Sequence, residues 1–368
     1  MRINVLHIAF FAAPYGGNFI QSLEQLSRLL AEDEGSSVYM FPCEAKNGKA
    51  VQWLDELKKN GREIHYFTGN ITKDALQIRR IVVENDIQVV HTHFLQIKYQ
   101  LSVTLACTGL KVKRIIHFHT ISKEMQGFRY HIRKLFYRSS IMIACSEAIY
   151  GDLCRDYPAN LKFCVENGID TKRLETFEKL SPEAFGFSDD KPMCLMFGGF
   201  FEIKGVDIAC VAIRELRRRG TEINLLISVS TNRKNTEAQI EKLLGEMPSW
   251  IRIIEARSDV ASLYNAAQLF LAPSRTEGLP YAVLEASWCQ CAVVLSDIPA
   301  QKKLKIPYAQ WFESENAEAL CNAILEGLKT REEKEKHLEE ARRMIEANYD
   351  IKSWAKGMAE IYEKCFSR

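Results

Sequence analysis

Two glutamates, Glu277 and Glu285, lie eight positions apart in the segment PSRTEGLPYAVLEA at 273–286. Glu277 follows an apolar run and precedes Gly278, whereas Glu285 lies in a stretch with helical character. Eight residues are close to two helical turns, so both carboxylates can address one ligand. A carboxylate there can accept both hydroxyls of a ribose, and N–H groups at a helix start suit phosphate or sugar hydroxyls. On spacing alone, a surface helix with two solvated glutamates is an equal alternative.

Histidines recur at alternate positions in HTH at 91–93 and HFH at 117–119. Alternate residues of a strand share a face, and imidazole is a common metal ligand. A metallohydrolase would also need carboxylate ligands at neighbouring strand ends, and the sequence offers no convincing set. Cys289 and Cys291 form the closest cysteine pair, but zinc would need two further ligands at matching spacing. We therefore expect no metal and no cofactor.

Gly16 and Gly17 follow the first apolar run and open a helical pattern, as in a turn from a strand to a helix. The segment is not a GxGxxG fingerprint, and no acid follows the second apolar run at the required place. NAD binding is therefore disfavoured. A plain β-to-α turn is the alternative to a phosphate-binding loop.

Runs rich in Val, Ile and Phe alternate with longer amphipathic segments, which is typical of parallel, doubly wound sheets. The runs lie at 3–11, 36–41, 63–67, 87–93, 113–119 and 140–146, and again at 193–199, 223–230, 251–256, 268–274 and 291–297. Between the two sets, 180–192 is rich in turn residues and acid. We expect an α/β protein with Rossmann-like domains at 1–182 and 190–350 that face a cleft, and a final helix, 351–368, that packs back on the first domain.

Composition supports a folded protein of two domains, with 368 residues, 47% apolar residues and a net charge of +2. This charge balance does not call for a nucleic-acid partner. Eleven cysteines without a CxxC pair favour a reducing cytoplasm. His7 interrupts the first apolar run, and no stretch approaches the roughly 18 apolar residues of a membrane span. We expect a cytoplasmic protein, or one peripheral on the inner face of the membrane.

Taken together, these motifs resemble the retaining glycosyltransferase family 4, which has the GT-B fold and a Glu-x7-Glu signature. The residues that match the signature are Pro273, Ser274, Glu277, Gly278, Glu285 and Ala286. Further matches follow in family order: GGN at 16–18, HTH at 91–93, HFHT at 117–120, SEA at 146–148, ENGID at 166–170 and FGGFFEIKG at 197–205. The resemblance therefore covers nearly the whole chain.

The resemblance implies a site for a nucleotide-sugar donor. Glu285 would bind the ribose, while Glu277 and the backbone of Gly278 and Leu279 would hold the transferred sugar. Lys204 would bind the diphosphate, a role that suits a compact cation beside the start of a helix.

The resemblance also implies roles for residues of the first domain. The loop of Gly16 and Gly17 would lie over the donor phosphates, and His119 would stabilise the transition state at the donor sugar. The other histidines of the two HxH pairs would serve packing or acceptor contacts. No Asp-x-Asp triplet occurs, which is consistent with transfer that requires no metal.

One departure from the family pattern affects the diphosphate. Family members usually carry Gly-Arg where this chain has Gly198 and Gly199. Losing one charge-assisted hydrogen bond costs roughly 1.5 to 3 kcal/mol, or about ten- to a hundredfold in affinity or rate. Arg257 and Arg275 are the candidate replacements.

A basic stretch at 111–138 carries eight Lys or Arg against the single acid Glu124. Within it, FRYHIRKLFYR alternates aromatic and basic residues, as in a helix that lies on an anionic membrane. A helix that packs its aromatics inward and solvates its charges is the alternative. The membrane interpretation would favour a lipid-linked acceptor.

The sequence thus predicts a hexosyltransferase of the kind used in polysaccharide biosynthesis. It would move a hexose or N-acetylhexosamine from a nucleoside diphosphate sugar, expected to be a UDP-sugar, to a hydroxyl of a glycan or lipid-linked acceptor. Two alternatives stay open: a catalytically silent donor-binding partner of another transferase, which the missing arginine suggests, and a GT-B sugar-nucleotide epimerase.

Overall fold

The computed structural model describes the chain except residues 12, 14, 43–44, 47–48, 51, 120–127, 188–190, 231–232, 330–333 and 368. The central part of the basic stretch and Thr120 of the HFHT motif therefore lie outside the described residues. The chain forms two compact units, the first of residues 1–168 with 351–368 and the second of residues 169–350. Each unit is built around a parallel sheet, which confirms the predicted α/β class.

The first unit contains a seven-stranded parallel sheet and a short antiparallel hairpin. Its strands are β1 (Asn4–Ala9), β2 (Ser36–Phe41), β3 (Ala45–Lys46), β4 (Lys49–Ala50), β5 (Glu63–Tyr66), β6 (Val89–His93), β7 (Lys113–Phe118), β8 (Ile141–Ala144) and β9 (Lys162–Cys164). The sheet order is β5-β2-β1-β6-β7-β8-β9, and β3 pairs with β4. Its helices are α1 (Gly17–Glu32), α2 (Gln52–Lys59), α3 (Ile71–Glu84), α4 (Ile97–Cys107), α5 (Phe128–Tyr137) and α6 (Glu147–Asp156), together with α15 (Ile351–Phe366).

The second unit contains a six-stranded parallel sheet. Its strands are β10 (Met193–Phe197), β11 (Asn224–Val229), β12 (Ile251–Glu255), β13 (Leu269–Ala272), β14 (Ala292–Ser296) and β15 (Gln310–Phe312), in the order β12-β11-β10-β13-β14-β15. Its helices are α7 (Lys172–Glu175), α8 (Val206–Arg218), α9 (Arg233–Leu244), α10 (Val260–Ala266), α11 (Tyr281–Trp288), α12 (Pro299–Lys302), α13 (Ala317–Lys329) and α14 (Lys334–Asn348), with a 3-10 turn at Pro182–Phe185.

The final helix, α15, belongs to the first unit and packs against α1. Trp354, Met358 and Tyr362 are buried at intervals of four residues, so one face of the helix enters the core. On α1, Leu23 and Leu26 are fully buried in the same core. The end of the chain thus covers one face of the first sheet.

The division between the units falls after Gly168, earlier than the boundary that the sequence places between 182 and 190. The Glu178 N–H donates to Ser262 Oγ at 2.9 Å, and α7 contacts α10. These contacts join residues 169–182 to the second unit. Composition showed where the turn-rich segment lies but could not show which sheet it contacts.

No helix in the described ranges is both long enough and apolar enough to cross a bilayer.

The α1–α15 contact can be tested with Met358→Ala, which removes a fully buried side chain. We expect the free energy of unfolding of the first unit to fall by about 2–5 kcal/mol, because the cavity loses packing contacts. Lys352→Ala, on the exposed face of the same helix, should stay within about 0.5 kcal/mol of wild type. Urea unfolding followed by circular dichroism, with hydrogen exchange of α1 as the local readout, measures both. Equal effects of the two variants would contradict the packing of α15 on α1.

Candidate functional site

Lys204 and Glu277 meet at the carboxyl ends of two neighbouring strands of the second unit. Lys204 ends the loop after β10, and Glu277 lies in the loop after β13. β10 and β13 are paired in the sheet, so these loops emerge side by side, where α/β sheets bind ligands. Lys204 Nζ donates to Glu277 Oε1 at 2.6 Å, and Ser274 Oγ donates to the same oxygen at 2.7 Å. The structure therefore brings together two of the predicted site residues.

A close backbone contact holds these two loops together. Gly205 has φ +68°, and a Cβ there would lie 2.0 Å from the Pro273 carbonyl oxygen. A glycine is required because any side chain would both strain the backbone and overlap this carbonyl. The Arg275 N–H donates to the Ile203 carbonyl at 2.9 Å, which adds a hydrogen bond between the same loops. Lys204 is thereby fixed beside Glu277.

The pair borders a cavity of about 210 Å³. Its polar wall includes Lys204, Ser274 and Glu277, and its other walls are mainly apolar and aromatic, with Phe197 and Tyr281 among them. The Lys204 side chain is 29% exposed and that of Glu277 is 12% exposed, so both charges remain accessible to a ligand. Leu279, also predicted to lie at the donor, lines the same cavity.

Glu285 has a different environment from Glu277. It lies on α11, is 5% exposed, and is not among the residues that line the cavity beside Lys204. Its carboxylate forms an ion pair with Arg173 of α7. The Tyr264 hydroxyl donates to Glu285 Oε2 at 3.0 Å. These partners compensate the desolvation of the carboxylate and hold it in one orientation.

Arg275 is engaged by acidic side chains. Its Nη1 and Nη2 donate to both oxygens of Asp207, at 2.9 and 2.7 Å, and its Nε donates to Glu315 at 2.7 Å. These hydrogen bonds, led by those to Asp207, raise the pKa of Arg275. Because two carboxylates compensate this cation, it fastens the loop to the start of α8.

Arg257 is engaged in a similar way. Its Nε and Nη2 donate to the two oxygens of Asp259 at 2.8 and 2.6 Å. In both candidate replacements for the missing arginine, the guanidinium thus already binds a carboxylate. A diphosphate would have to compete with these carboxylates for either of them.

The Gly198-Gly199 segment that replaces the family's Gly-Arg is shaped by packing. A Cβ on Gly198 would lie 2.7 Å from Ile227 Cγ2 of β11, so the glycine is required there. A Cβ on Gly199 would lie 3.0 Å from Ser230 Oγ. This is a tight but less severe contact, which a small shift of a serine side chain can relieve. Sterics thus explain Gly198 better than Gly199.

In the first unit, histidines line one face of the sheet near its carboxyl end; we call them the histidine belt and define it as His7, His91, His93, His117 and His119. Register pairs His7 with His91 across β1 and β6, and His93 with His117 across β6 and β7. His119 follows β7 and is half-buried, whereas the others are buried. The two histidines of each HxH pair were expected to share a face, and the structure groups histidines of three neighbouring strands on one face.

Burial keeps the belt neutral. Desolvation lowers the pKa of His7 and of His119 to about 3. It also lowers the pKa of His91, His93 and His117 well below 6.5, with a smaller contribution from neighbouring imidazoles. At neutral pH these rings therefore act as hydrogen-bond donors, acceptors or ligands rather than as cations.

Few hydrogen bonds join the belt to its surroundings. His93 Nδ1 lies 3.1 Å from His119 Nε2, and His91 Nδ1 lies 2.7 Å from the Tyr362 hydroxyl of α15. Both ring nitrogens of His7 and of His117, and Nε2 of His91 and His93, have no partner within the part of the chain that the structure describes. His117 and His119 also line a cavity of about 320 Å³.

The predicted glycine loop packs closely against the start of α1. A Cβ on Gly16 would lie 2.8 Å from Ile20 Cβ, and Gly17 has φ +53°. Phe19, on the first turn of α1, contacts His93 and His119 edge-on, with ring centroids 5.2 and 5.8 Å apart. The loop and predicted His119 are thus connected through one aromatic side chain.

Sequence reasoning missed Arg173 and Tyr264, the two partners of Glu285. A glutamate inside an apolar helix signals that a buried partner must exist, because a buried charge needs compensation. The sequence does not identify the partner. Arg173 lies three positions after the ENGID motif, in a segment that was predicted to belong to the first domain.

Comparisons with known proteins agree with this architecture. A family model for glycosyl transferases group 1 matches residues 178–360, and one for glycosyltransferase family 4 matches residues 21–173. The capsular polysaccharide biosynthesis glycosyltransferase CapH of Staphylococcus aureus is 24% identical over 326 residues, which are 86% of each protein. An alpha-maltose-1-phosphate synthase of Mycobacterium tuberculosis is 25% identical over 238 residues, 57% of this chain and 59% of that protein.

Solved structures show the same fold. A glycosyltransferase from Rickettsia africae has a TM-score of 0.79 at 17% identity and covers 99% of this chain and 98% of its own. Anabaena Alr3699/HepE, solved in complex with UDP-glucose, has a TM-score of 0.78 at 15% identity and covers 99% of this chain and 100% of its own.

The two parallel-sheet units and these neighbours define the GT-B fold. The chain belongs to the glycosyltransferases that the two matching family models describe, with a family 4 N-terminal domain followed by a group 1 domain.

The histidine belt predicts acid-sensitive stability. Imidazoles of an unfolded chain take up protons near pH 6.5, whereas the buried belt histidines stay neutral, so below this pH the unfolded state binds more protons. Above about pH 7 the histidines are neutral in both states and do not affect the free energy of unfolding. As the pH drops below this value, the free energy of unfolding falls by up to about 1.4 kcal/mol per pH unit for each imidazole. Urea unfolding of the first unit between pH 7.5 and 5.5 should show this loss, and His7→Gln should reduce the slope by about one proton. Constant stability across the range would contradict it.

The Gly205–Pro273 contact predicts a specific sensitivity to Gly205→Ala. A left-handed alanine costs about 1–2 kcal/mol, and the overlap with Pro273 should add to that cost and move Lys204 away from Glu277. Gly245 provides a matched control, because it also has positive φ (+90°) but has nothing within 4 Å of a Cβ. We expect Gly245→Ala to show only the backbone cost, and Gly205→Ala to be less stable still and at least about tenfold slower in sugar transfer. Urea unfolding and a transferase assay measure the two effects; equal behaviour of both variants would contradict the role of the contact.

Proposed function

We propose that this glycosyltransferase is a retaining enzyme that moves a hexose or N-acetylhexosamine from a nucleoside diphosphate sugar to a hydroxyl of a glycan or lipid-linked acceptor. UDP is the proposed nucleotide, and no metal is required. The observation that carries the proposal is the Lys204–Glu277 pair on the wall of the 210 Å³ cavity. A cation, a carboxylate and a helix start are grouped there at the carboxyl ends of paired strands.

Lys204 supplies positive charge for the diphosphate. Its ammonium lies just before α8, a helix of 13 residues whose first N–H groups favour anions. When the donor binds, the ammonium exchanges Glu277 for a phosphate oxygen. It then stabilises the negative charge that develops on the leaving diphosphate.

Glu277 becomes available to the donor sugar by the same exchange. Ser274 continues to donate to one of its oxygens, which keeps the carboxylate oriented. The carboxylate can then accept hydrogen bonds from sugar hydroxyls. In the retaining reaction, the bond from the anomeric carbon to the diphosphate breaks, the bond to the acceptor oxygen forms on the same face, and the acceptor proton passes to the leaving oxygen.

Glu285 is the proposed ligand of the ribose. Arg173 and Tyr264 both contact its carboxylate. Ribose hydroxyls would donate to the same carboxylate, whose oxygens each accept more than one hydrogen bond. In this arrangement Arg173 and Tyr264 fix the orientation in which the carboxylate meets the nucleotide.

The relatives support the choice of donor and acceptor. Anabaena Alr3699/HepE has been solved with UDP-glucose, and CapH of Staphylococcus aureus acts in capsular polysaccharide biosynthesis.

For the acceptor, the relevant feature is helix α5, which carries an exposed Leu135 beside Lys134 in the basic stretch. An exposed leucine among cations is consistent with a helix that rests on an anionic membrane and serves a lipid-linked acceptor.

Donor hydrolysis tests the site assignment. Incubation with UDP-sugars should release UDP slowly, and Lys204→Ala and Glu285→Ala should abolish the release, because each removes a donor contact. Lys242→Ala, which removes an exposed lysine of α9, should hydrolyse at the wild-type rate. Chromatography of the nucleotide products measures all four proteins. Unchanged turnover in both site variants would contradict the assignment of Lys204 and Glu285 to the donor site.

A catalytically silent donor-binding partner is the second candidate. The observation that favours it is the engagement of Arg257 and Arg275 by carboxylates, which leaves the absence of an arginine at Gly199 without an evident replacement. Tight UDP binding without hydrolysis or transfer, together with co-purification of an active transferase, would establish this function instead.

A further inference from the structure

We propose that the 320 Å³ cavity of the first unit binds one pyranose ring of the acceptor, and that Phe94 is the platform on which this sugar stacks. The inference rests on the proposed transfer to a saccharide hydroxyl, and it names the side chain that recognises the acceptor. Ligand pockets measure about 300–1,000 Å³, so this cavity lies at the lower end and suits a single sugar ring. The lysine and carboxylates assigned to the donor belong to the second unit.

Phe94 combines a strained backbone with an exposed aromatic ring. It follows β6 directly and has φ +56°, a left-handed conformation that bulky residues rarely adopt. The residue is nevertheless 40% exposed, so burial of the ring does not account for the strain. Backbone strain persists where the surrounding structure imposes it, and it is concentrated at ligand sites. The position of Phe94 at the carboxyl end of a central strand agrees with such a site.

Neighbouring rings hold the phenyl ring of Phe94 in one orientation. It stacks on His119 with ring centroids 4.3 Å apart at an angle of 27°, and Phe19 contacts it edge-on at 5.0 Å. A platform that is already oriented loses little entropy when a ligand binds. The C–H bonds on one face of a pyranose are attracted to the negative face of an aromatic ring. A flat apolar ring at the wall of a cavity therefore fits a sugar.

The other walls of the cavity carry the polar groups that hydroxyls require. The Arg133 guanidinium lies over the rings of Phe118 and Tyr137, 5.7 and 5.2 Å from their centroids, which holds a group with several N–H donors at the wall. His117 lines the same cavity, and neither of its ring nitrogens has a hydrogen-bond partner within the described ranges of the chain. Buried polar atoms without a partner are rare in folded proteins. A neutral imidazole offers one donor and one acceptor, which sugar hydroxyls can satisfy.

His119 connects the cavity with the transfer reaction. The family resemblance assigns this residue to the donor sugar, and it lines the same cavity as Phe94. A pyranose stacked on Phe94 therefore places its hydroxyls close to the residue expected beside the anomeric carbon. Transfer requires this proximity, because the acceptor oxygen must approach that carbon to about 3–3.5 Å before the bond forms. The cavity is thus an acceptor subsite rather than a part of the donor site.

Saturation-transfer NMR with methyl glycosides tests the proposal, because each probe carries one pyranose ring and needs no donor. The probes are the methyl glycosides of glucose, galactose, mannose and N-acetylglucosamine. We expect at least one of them to bind, with the strongest transfer at the C–H protons of one ring face. Phe94→Leu keeps apolar bulk but removes the flat ring, and it should weaken binding at least about tenfold, because stacking and part of the contact area are lost. Phe94→Tyr keeps the ring and should retain binding.

Phe177→Leu provides a matched control for the substitution. Phe177 is a phenylalanine of similar exposure, 46%, but it belongs to the second unit. We expect this variant to bind the methyl glycosides with the affinity of the wild type.

Circular dichroism of the same samples monitors folding, and retention of binding by Phe94→Tyr separates loss of the ring from loss of the fold. No binding of any of the four glycosides, or equal binding by the wild type and a folded Phe94→Leu protein, would overturn the proposal. The measurement uses no nucleotide sugar. If glycoside binding depends on Phe94 while UDP-sugars are not hydrolysed, the saccharide site stands and the transfer function fails. Hydrolysis without glycoside binding has the opposite meaning.

Discussion

The close approach of Gly205 to the Pro273 carbonyl is the constraint on which the candidate donor site depends. It allows the loop after β10 to touch the loop after β13, and only a residue without a side chain can occupy the contact point. Lys204 precedes this glycine directly, and Glu277 lies four positions after Pro273. Backbone contact, rather than attraction between the charges, therefore determines that the ammonium and the carboxylate meet.

The charges around this contact are arranged so that one cation stays exchangeable. Arg275 makes bidentate hydrogen bonds to Asp207 and a further bond to Glu315, and it holds the loop in place. Lys204 makes a single hydrogen bond to Glu277, and both side chains keep some exposure. Breaking a bidentate guanidinium pair costs more than exchanging one lysine contact for another anion. The site therefore separates the cation that supports the structure from the one that binds a ligand.

Much of the fold followed from the alternation of apolar runs and amphipathic segments. Each run overlaps a strand, and the amphipathic segments between the runs contain helices such as α1 and α3. The pattern could not predict the order of the strands, nor the unit to which residues 169–182 belong, because both depend on contacts between distant segments. A local pattern indicates that a strand is buried but does not identify the strands beside it.

The candidate site was predictable to a different degree for each residue. Lys204 and Glu277 were grouped through the family resemblance, and the structure brings them within one hydrogen bond. The partners of Glu285 could not be foreseen, because a buried carboxylate requires compensation without specifying which residue provides it. For Arg275, the sequence showed a cation beside Glu277 but could not show the carboxylates that engage it.

The two units present opposite solutions to the problem of placing polar groups at the end of a buried sheet. In the second unit, opposite charges compensate one another, so a ligand binds by exchange with an existing partner. In the first unit, burial removes the charge from the histidine belt, and several ring nitrogens there have no partner among the described residues. A ligand of the belt therefore displaces no ion pair, and its binding satisfies nitrogens that already bear the cost of desolvation. His93 Nδ1 and His119 Nε2 are an exception, because they lie 3.1 Å apart and are hydrogen-bonded to each other.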